Sequence, residues 1–188
     1  YAKEGITIWG DVSVKTGTTH IYQVANHPNN FILKKPDIQV DAGALLRLGG
    51  NWTTAPIKAG DGKVELLDEL VVPGNAFNLT GGLIVVNAKA NSLNGLTLAS
   101  GCGFDLTAPE SCYAPTNSAA LTASGTIRLV TGARELTKGE YLMRWETGHA
   151  PNCLYRLVAD APMGSHFSLE RVGDGVRVAI RSFAILLR

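Results

Sequence analysis

The feature that most constrains this chain is the brevity and recurrence of its apolar segments. Pulses centred near Leu46, Leu66, Ile84, Asp105 and Arg128 follow one another at steps of roughly twenty residues. Small turn-formers separate them: Ala42-Gly43, Gly60-Asp61-Gly62, Pro73-Gly74-Asn75, Gly81-Gly82, Asn94-Gly95, Ser100-Gly101 and Ser124-Gly125. Gly and Asn tolerate the dihedrals that sharp turns demand. Short apolar pulses between such turns are strands, so the chain reads as all-β.

Two architectures fit this spacing. In a short parallel β-helix each coil buries its inward residues against the next, and Leu79-Thr80-Gly81-Gly82-Leu83 is a corner between two strands. In a jelly-roll β-sandwich the same stretch is a hairpin. The first is preferred, with an antiparallel cap at the C-terminal end. Residues 1–188 read as one β-rich domain: N-terminal strands over 1–37, a β-ladder over 38–132 and the cap over 133–188. Val64 to Val72 is read as two strands broken at Asp68-Glu69 rather than as two helical turns. Phe167 to Ile180 reads as a β-hairpin around Gly173-Asp174-Gly175.

The C-terminal third resembles the autotransporter-associated β-strand repeat proteins. The resemblance rests on Leu136, Gly139, Tyr141 and Leu142, then Phe167, Leu169, Gly173, Gly175, Val176 and Val178. The stretch Ile38 to Val130 is similar in texture. The resemblance implies a secreted or surface-displayed β-helical chain and supplies no catalytic motif.

Charge narrows the partners. The formal net charge is +1 and the basic residues are scattered, so neither nucleic acid nor an anionic membrane surface is the expected partner. No apolar run is long enough to span a bilayer. The first residue is Tyr1, which reads as the start of a processed or excised piece. Cys102 and Cys112 lie ten apart in a Gly/Pro/Ser-rich region. That spacing allows a local disulfide in an oxidising compartment, with Cys153 unpaired, and equally allows three thiols.

Motifs for chemistry are scarce. Gly164-Ser165-His166 places Ser beside His, but adjacent strand residues point to opposite faces and cannot act as nucleophile and base. His20 and His27 are seven apart, and His149 and Cys153 are four apart beside Pro151; neither spacing is that of a metal motif. Asp61 and Asp174 read as turn residues. The acids Asp37, Asp41, Glu65, Asp68, Glu69 and Asp105 include candidates for a carboxylate pair on neighbouring coils, with solvated surface acids as the default. No catalytic residue, metal site or cofactor is assigned.

Trp52, in the turn-like setting Gly49-Gly50-Asn51-Trp52-Thr53, is the candidate ligand-binding residue. An exposed indole there suits a sugar ring; the plainer reading is an indole covering the core's edge. Trp9 and Trp145 are read as core. Asn51-Trp52-Thr53 and Asn78-Leu79-Thr80 fit the N-glycosylation pattern.

The expected function is a non-enzymatic structural or adhesive module of a secreted or cell-surface protein. The alternative is a carbohydrate-binding accessory module or a divergent polysaccharide-acting enzyme. The expected partners are polysaccharide or a second copy of the chain.

Overall fold

Alternation in the sequence becomes alternation in burial. Thr126–Gly132 is one strand in which Ile127, Leu129 and Thr131 are buried while Arg128 and Val130 face outward. The computed structural model describes residues 7–9, 12–23, 32–34, 38–52, 57–117, 121–160 and 166–181.

Strands dominate among these residues. They are β1 (Thr7–Trp9), β2 (Val12–Val14), β3 (Thr18–Gln23), β4 (Ile32–Lys34), β5 (Ile38–Val40) and β6 (Leu45–Gly50). Next come β7 (Ile57–Leu66), β8 (Ala76–Val85), β9 (Gly95–Leu98), β10 (Gly103–Asp105), β11 (Leu121–Ala123) and β12 (Thr126–Gly132). The chain closes with β13 (Tyr141–Arg144), β14 (Leu154–Ala159), β15 (Phe167–Val172) and β16 (Gly175–Ile180).

Eleven of these strands form one sheet in which every pairing is parallel. The pairs fall into two rows. One row runs β2, β5, the start of β7, the start of β8, β9, β11. The other runs β3, β6, the end of β7, the end of β8, β10, β12, β14. The ten-residue strands β7 and β8 take part in both rows. Gly82, at φ +82°, lies where β8 passes from one row to the other, a conformation that a Cβ would penalise. Gly17, Gly43, Gly101 and Gly125 stand between strands of the two rows with similar dihedrals.

Leu79 to Val85 therefore lies within one strand, neither a hairpin nor a corner between two separate strands, and the strand changes partners at Gly82. A jelly roll needs antiparallel neighbours, so the parallel register overturns the sandwich alternative. The ladder is also longer than the sequence suggested. It takes in β2 and β3 before residue 38, and β14 after residue 132, so residues 133–188 are not wholly antiparallel. β1 and β4 form a separate parallel pair.

The core follows from the register. In the second row Leu46 stands beside Val64, then Ile84, Phe104 and Leu129, all with no exposed surface. Burying each such side chain contributes roughly 1.5–3 kcal/mol. In the first row Phe77, Leu96 and Leu121 form a similar file. Tyr113 stacks on Phe104 with ring centroids 4.2 Å apart.

Β7 runs to Leu66, a turn takes Asp68 and Glu69, and Val71 bridges to Asn51, as the strand reading of this segment expects. One short helix, α1 (Ala88–Asn91), was not foreseen; the Asn87 side chain accepts from the Ala90 N–H and caps it. The antiparallel sheet β13-β16-β15 contains the expected hairpin, with Val172 opposite Gly175. Its Leu142, Met143, Val176 and Val178 join the same buried cluster as the parallel strands. No helix among the described residues is long and apolar enough to cross a membrane.

Candidate functional site

The strand period sends the neighbours of the buried file outward. Beside Leu46, Val64, Ile84 and Phe104 this creates two outward files. One holds His20, Arg47, Glu65, Val85 and Asp105; the other holds Leu45, Lys63, Leu83, Gly103 and Arg128.

The polar groups of this face are tied to one another. Arg47 Nε lies 2.5 Å from Glu65 Oε2, and Arg47 Nη1 lies 3.4 Å from His20 Nε2. Lys63 reaches across the intervening β8 to place Nζ 2.5 Å from Asp105 Oδ2. Asp105 Oδ1 accepts from the Thr107 N–H at 3.0 Å and from its hydroxyl at 2.6 Å. Arg128 spans the face in the other sense, with Nη1 3.5 Å from Asp61 Oδ1. Gly103 allows the backbone of β12 to approach closely, because a Cβ on it would lie 2.2 Å from the Arg128 carbonyl oxygen.

Asp105 is 5% exposed. Burial pushes its carboxyl upward, but the hydrogen bonds from Lys63 and Thr107 outweigh that and hold it below the usual carboxylate range. Glu65 and Asp105 lie in one outward file two strands apart, or roughly 10 Å between backbones. Glycoside hydrolysis needs one carboxyl kept protonated near neutral pH. Asp105 is shifted the wrong way for that task, and Glu65 is held by Arg47.

Of the other acids, Asp41 accepts from Gln39 Nε2 at 3.2 Å, Asp68 and Glu69 are exposed on their turn, and Asp37 lies outside the described residues. Asp174 accepts from the Tyr141 hydroxyl at 2.9 Å. His27 and Ser165 also lie outside the described residues. His149 is exposed with Nδ1 3.8 Å from Glu146, whereas Cys153 is buried. No group of three His, Cys, Asp or Glu side chains poised for a metal occurs among the described residues.

The ligand-binding candidate needs correction. Trp52 is 5% exposed and its Nε1–H donates to the Gly49 carbonyl at 2.8 Å. A closed indole offers no face to a sugar, so Trp52 covers the core's edge. Trp145 is buried as expected, donating to the Gly173 carbonyl at 3.0 Å; the side chain of Trp9 lies outside the description. Cys102 and Cys112 are free thiols, as is Cys153. The Cys102 thiol points into the core, 3.3 Å from the Leu79 carbonyl that accepts from it.

A groove of about 630 Å³ lies between residues 107–110 and 134–141, with Glu110 and Glu135 on its rim. Its buried cation, Arg134, pairs with Glu140 and donates to the carbonyls of Leu106 at 2.9 Å and Ser111 at 2.8 Å. That guanidinium holds two segments together and has little left for a ligand.

Sequence reasoning also missed Tyr22. It is 50% exposed, on the outward side of β3, directly beside Gly49 in the register. A Cβ on Gly49 would lie 2.7 Å from Tyr22 Cδ2, 2.9 Å from Cε2 and 3.0 Å from Glu69 Oε1. The alternation His20-Ile21-Tyr22 was signal enough for its direction, since Ile21 is buried. Its partner glycine needed the register.

No protein-family model, curated protein or solved structure matches this chain.

Proposed function

We propose that the chain is a non-enzymatic structural or adhesive module of a secreted or cell-surface protein, wound as a short parallel β-solenoid. The parallel register supports the winding: both rows advance together along the chain, with in-register partners such as Leu46 and Val64 18 residues apart and Val64 and Ile84 20 apart. In this reading each step is one coil, the glycines between rows are corners, and the antiparallel β13-β16-β15 sheet shields one end. The kinship proposed is with the β-helical passengers that the C-terminal third resembles.

One observation carries the non-enzymatic reading. The groups best placed for chemistry, Glu65, Asp105 and Arg134, each end in an ion pair within the fold. These pairs tie residues across the fold, and Asp105, held below the usual carboxylate range, is poorly suited to act as an acid.

Two measurements test it. Incubation with a panel of polysaccharides is expected to release no new reducing ends and no unsaturated products; turnover overturns the reading. Protease added to intact source cells is expected to remove the chain; full protection overturns surface display.

A further inference from the structure

We infer that Tyr22, seated over Gly49, is a stacking platform for a neutral pyranose polymer. The inference deepens the adhesive reading and rests on it, by naming the ligand class.

Glycine inside a strand is destabilising by roughly 0.5–1 kcal/mol relative to alanine and leaves no side chain to pack. At Gly49 the missing Cβ is the space that the Cδ2–Cε2 edge of Tyr22 occupies, with the Glu69 carboxylate at the same point. The ring is thus seated by backbone on one side and remains half open to solvent. A ring held this way loses little freedom on binding, which favours contact with the C–H face of a sugar.

The polar surroundings select the charge of the ligand. Glu69 is exposed beside the ring, and a carboxylate there is an acceptor for sugar hydroxyls. On the adjoining file Glu65 lies against Arg47, and Arg47 against His20. The nearby guanidinium is therefore already neutralised, while Glu69 adds a negative charge. A uronic-acid chain meets repulsion here, and a neutral chain presents hydroxyls to a carboxylate and C–H groups to a phenol ring.

The test uses the whole chain with neutral gluco-, manno- and galacto-oligosaccharides and with uronic-acid oligomers, read by calorimetry. Wild type is expected to bind a neutral series, Tyr22→Ala to weaken it about tenfold, and Tyr22→Phe to stay within about twofold. Circular dichroism checks that the half-exposed site tolerates the change. Nitration of Tyr22 in wild type, mapped by mass spectrometry, is expected to slow when the bound oligosaccharide is present, a readout that needs no variant. Undiminished binding by Tyr22→Ala overturns the platform and leaves the adhesive reading standing. Binding to none of these sugars, or only to the uronic acids, also overturns the platform. Turnover of any of them overturns the non-enzymatic reading itself.

Discussion

Lys63 and Asp105 sit two strands apart in a parallel row, yet Lys63 Nζ lies 2.5 Å from Asp105 Oδ2, across the strand that separates them. The pair bolts three strands together on the outward face. Asp105 is nearly buried and Lys63 is 40% exposed, so the contribution lies below that of a fully buried pair. Asp105→Asn is expected to lose about 1–2 kcal/mol at pH 7 in urea unfolding.

The same pair predicts an acid limb. The Asp105 carboxyl is held below its unfolded value of about 4, so its contribution is complete above that pH. It fades as pH falls from there through the lower folded value. Unfolding curves for wild type and Asp105→Asn are expected to converge below about pH 4. A gap that persists undiminished in acid refutes the ion pair as its source.

Gly103 and Gly43 separate two reasons for glycine. A Cβ on Gly103 meets the Arg128 carbonyl at 2.2 Å, whereas one on Gly43 meets nothing within 4 Å but sits at φ +80°. Gly103→Ala is expected to cost about 2–3 kcal/mol through forced backbone movement. Gly43→Ala is expected to cost about 1 kcal/mol, from dihedral strain alone. Equal costs in parallel denaturation curves contradict the close strand approach at Gly103.

Trp52 is a core residue with a satisfied indole N–H. Trp52→Ala is expected to cost about 3–5 kcal/mol. Trp52→Phe, checked for folding by circular dichroism, is expected to leave oligosaccharide affinity unchanged. Loss of affinity in that variant with Tyr22→Ala binding undiminished places the ligand at Trp52 after all.

The three thiols make a chemical prediction. Burial raises Cys102, Cys112 and Cys153 above the ordinary thiol value, which starves each of thiolate. Native alkylation at pH 8 is expected to spare Cys102 and Cys153 and to reach half-buried Cys112 slowly. Denatured, unreduced protein is expected to take up three labels. Uptake of one label reveals a Cys102–Cys112 disulfide.

Much of the fold was legible because alternation and turn chemistry are local. Ile127-Arg128-Leu129-Val130 announces a strand and its buried face, and Gly173-Asp174-Gly175 announces a hairpin, without reference to anything distant. The helix at Ala88–Asn91 was not legible, since four residues carry too little period to register. Of the candidate sites, Trp52 was left between a sugar-binding and a core-edge reading, because a polar, glycine-rich neighbourhood in sequence says nothing of what packs over an indole; the structure bears out the core-edge reading.

The sequence by itself determined the β class and the inward face of strands such as Thr126–Gly132, because alternation depends on near neighbours; it misplaced turns at Gly60-Asp61-Gly62 and Gly81-Gly82, which lie inside β7 and β8. Only the tertiary structure decided which strands lie side by side. Parallel pairing joins residues some twenty positions apart, and no local rule sets that register. Register is what brings Lys63 to Asp105, seats Tyr22 on Gly49 and closes the core over Trp52, so the outward chemistry was settled at that level.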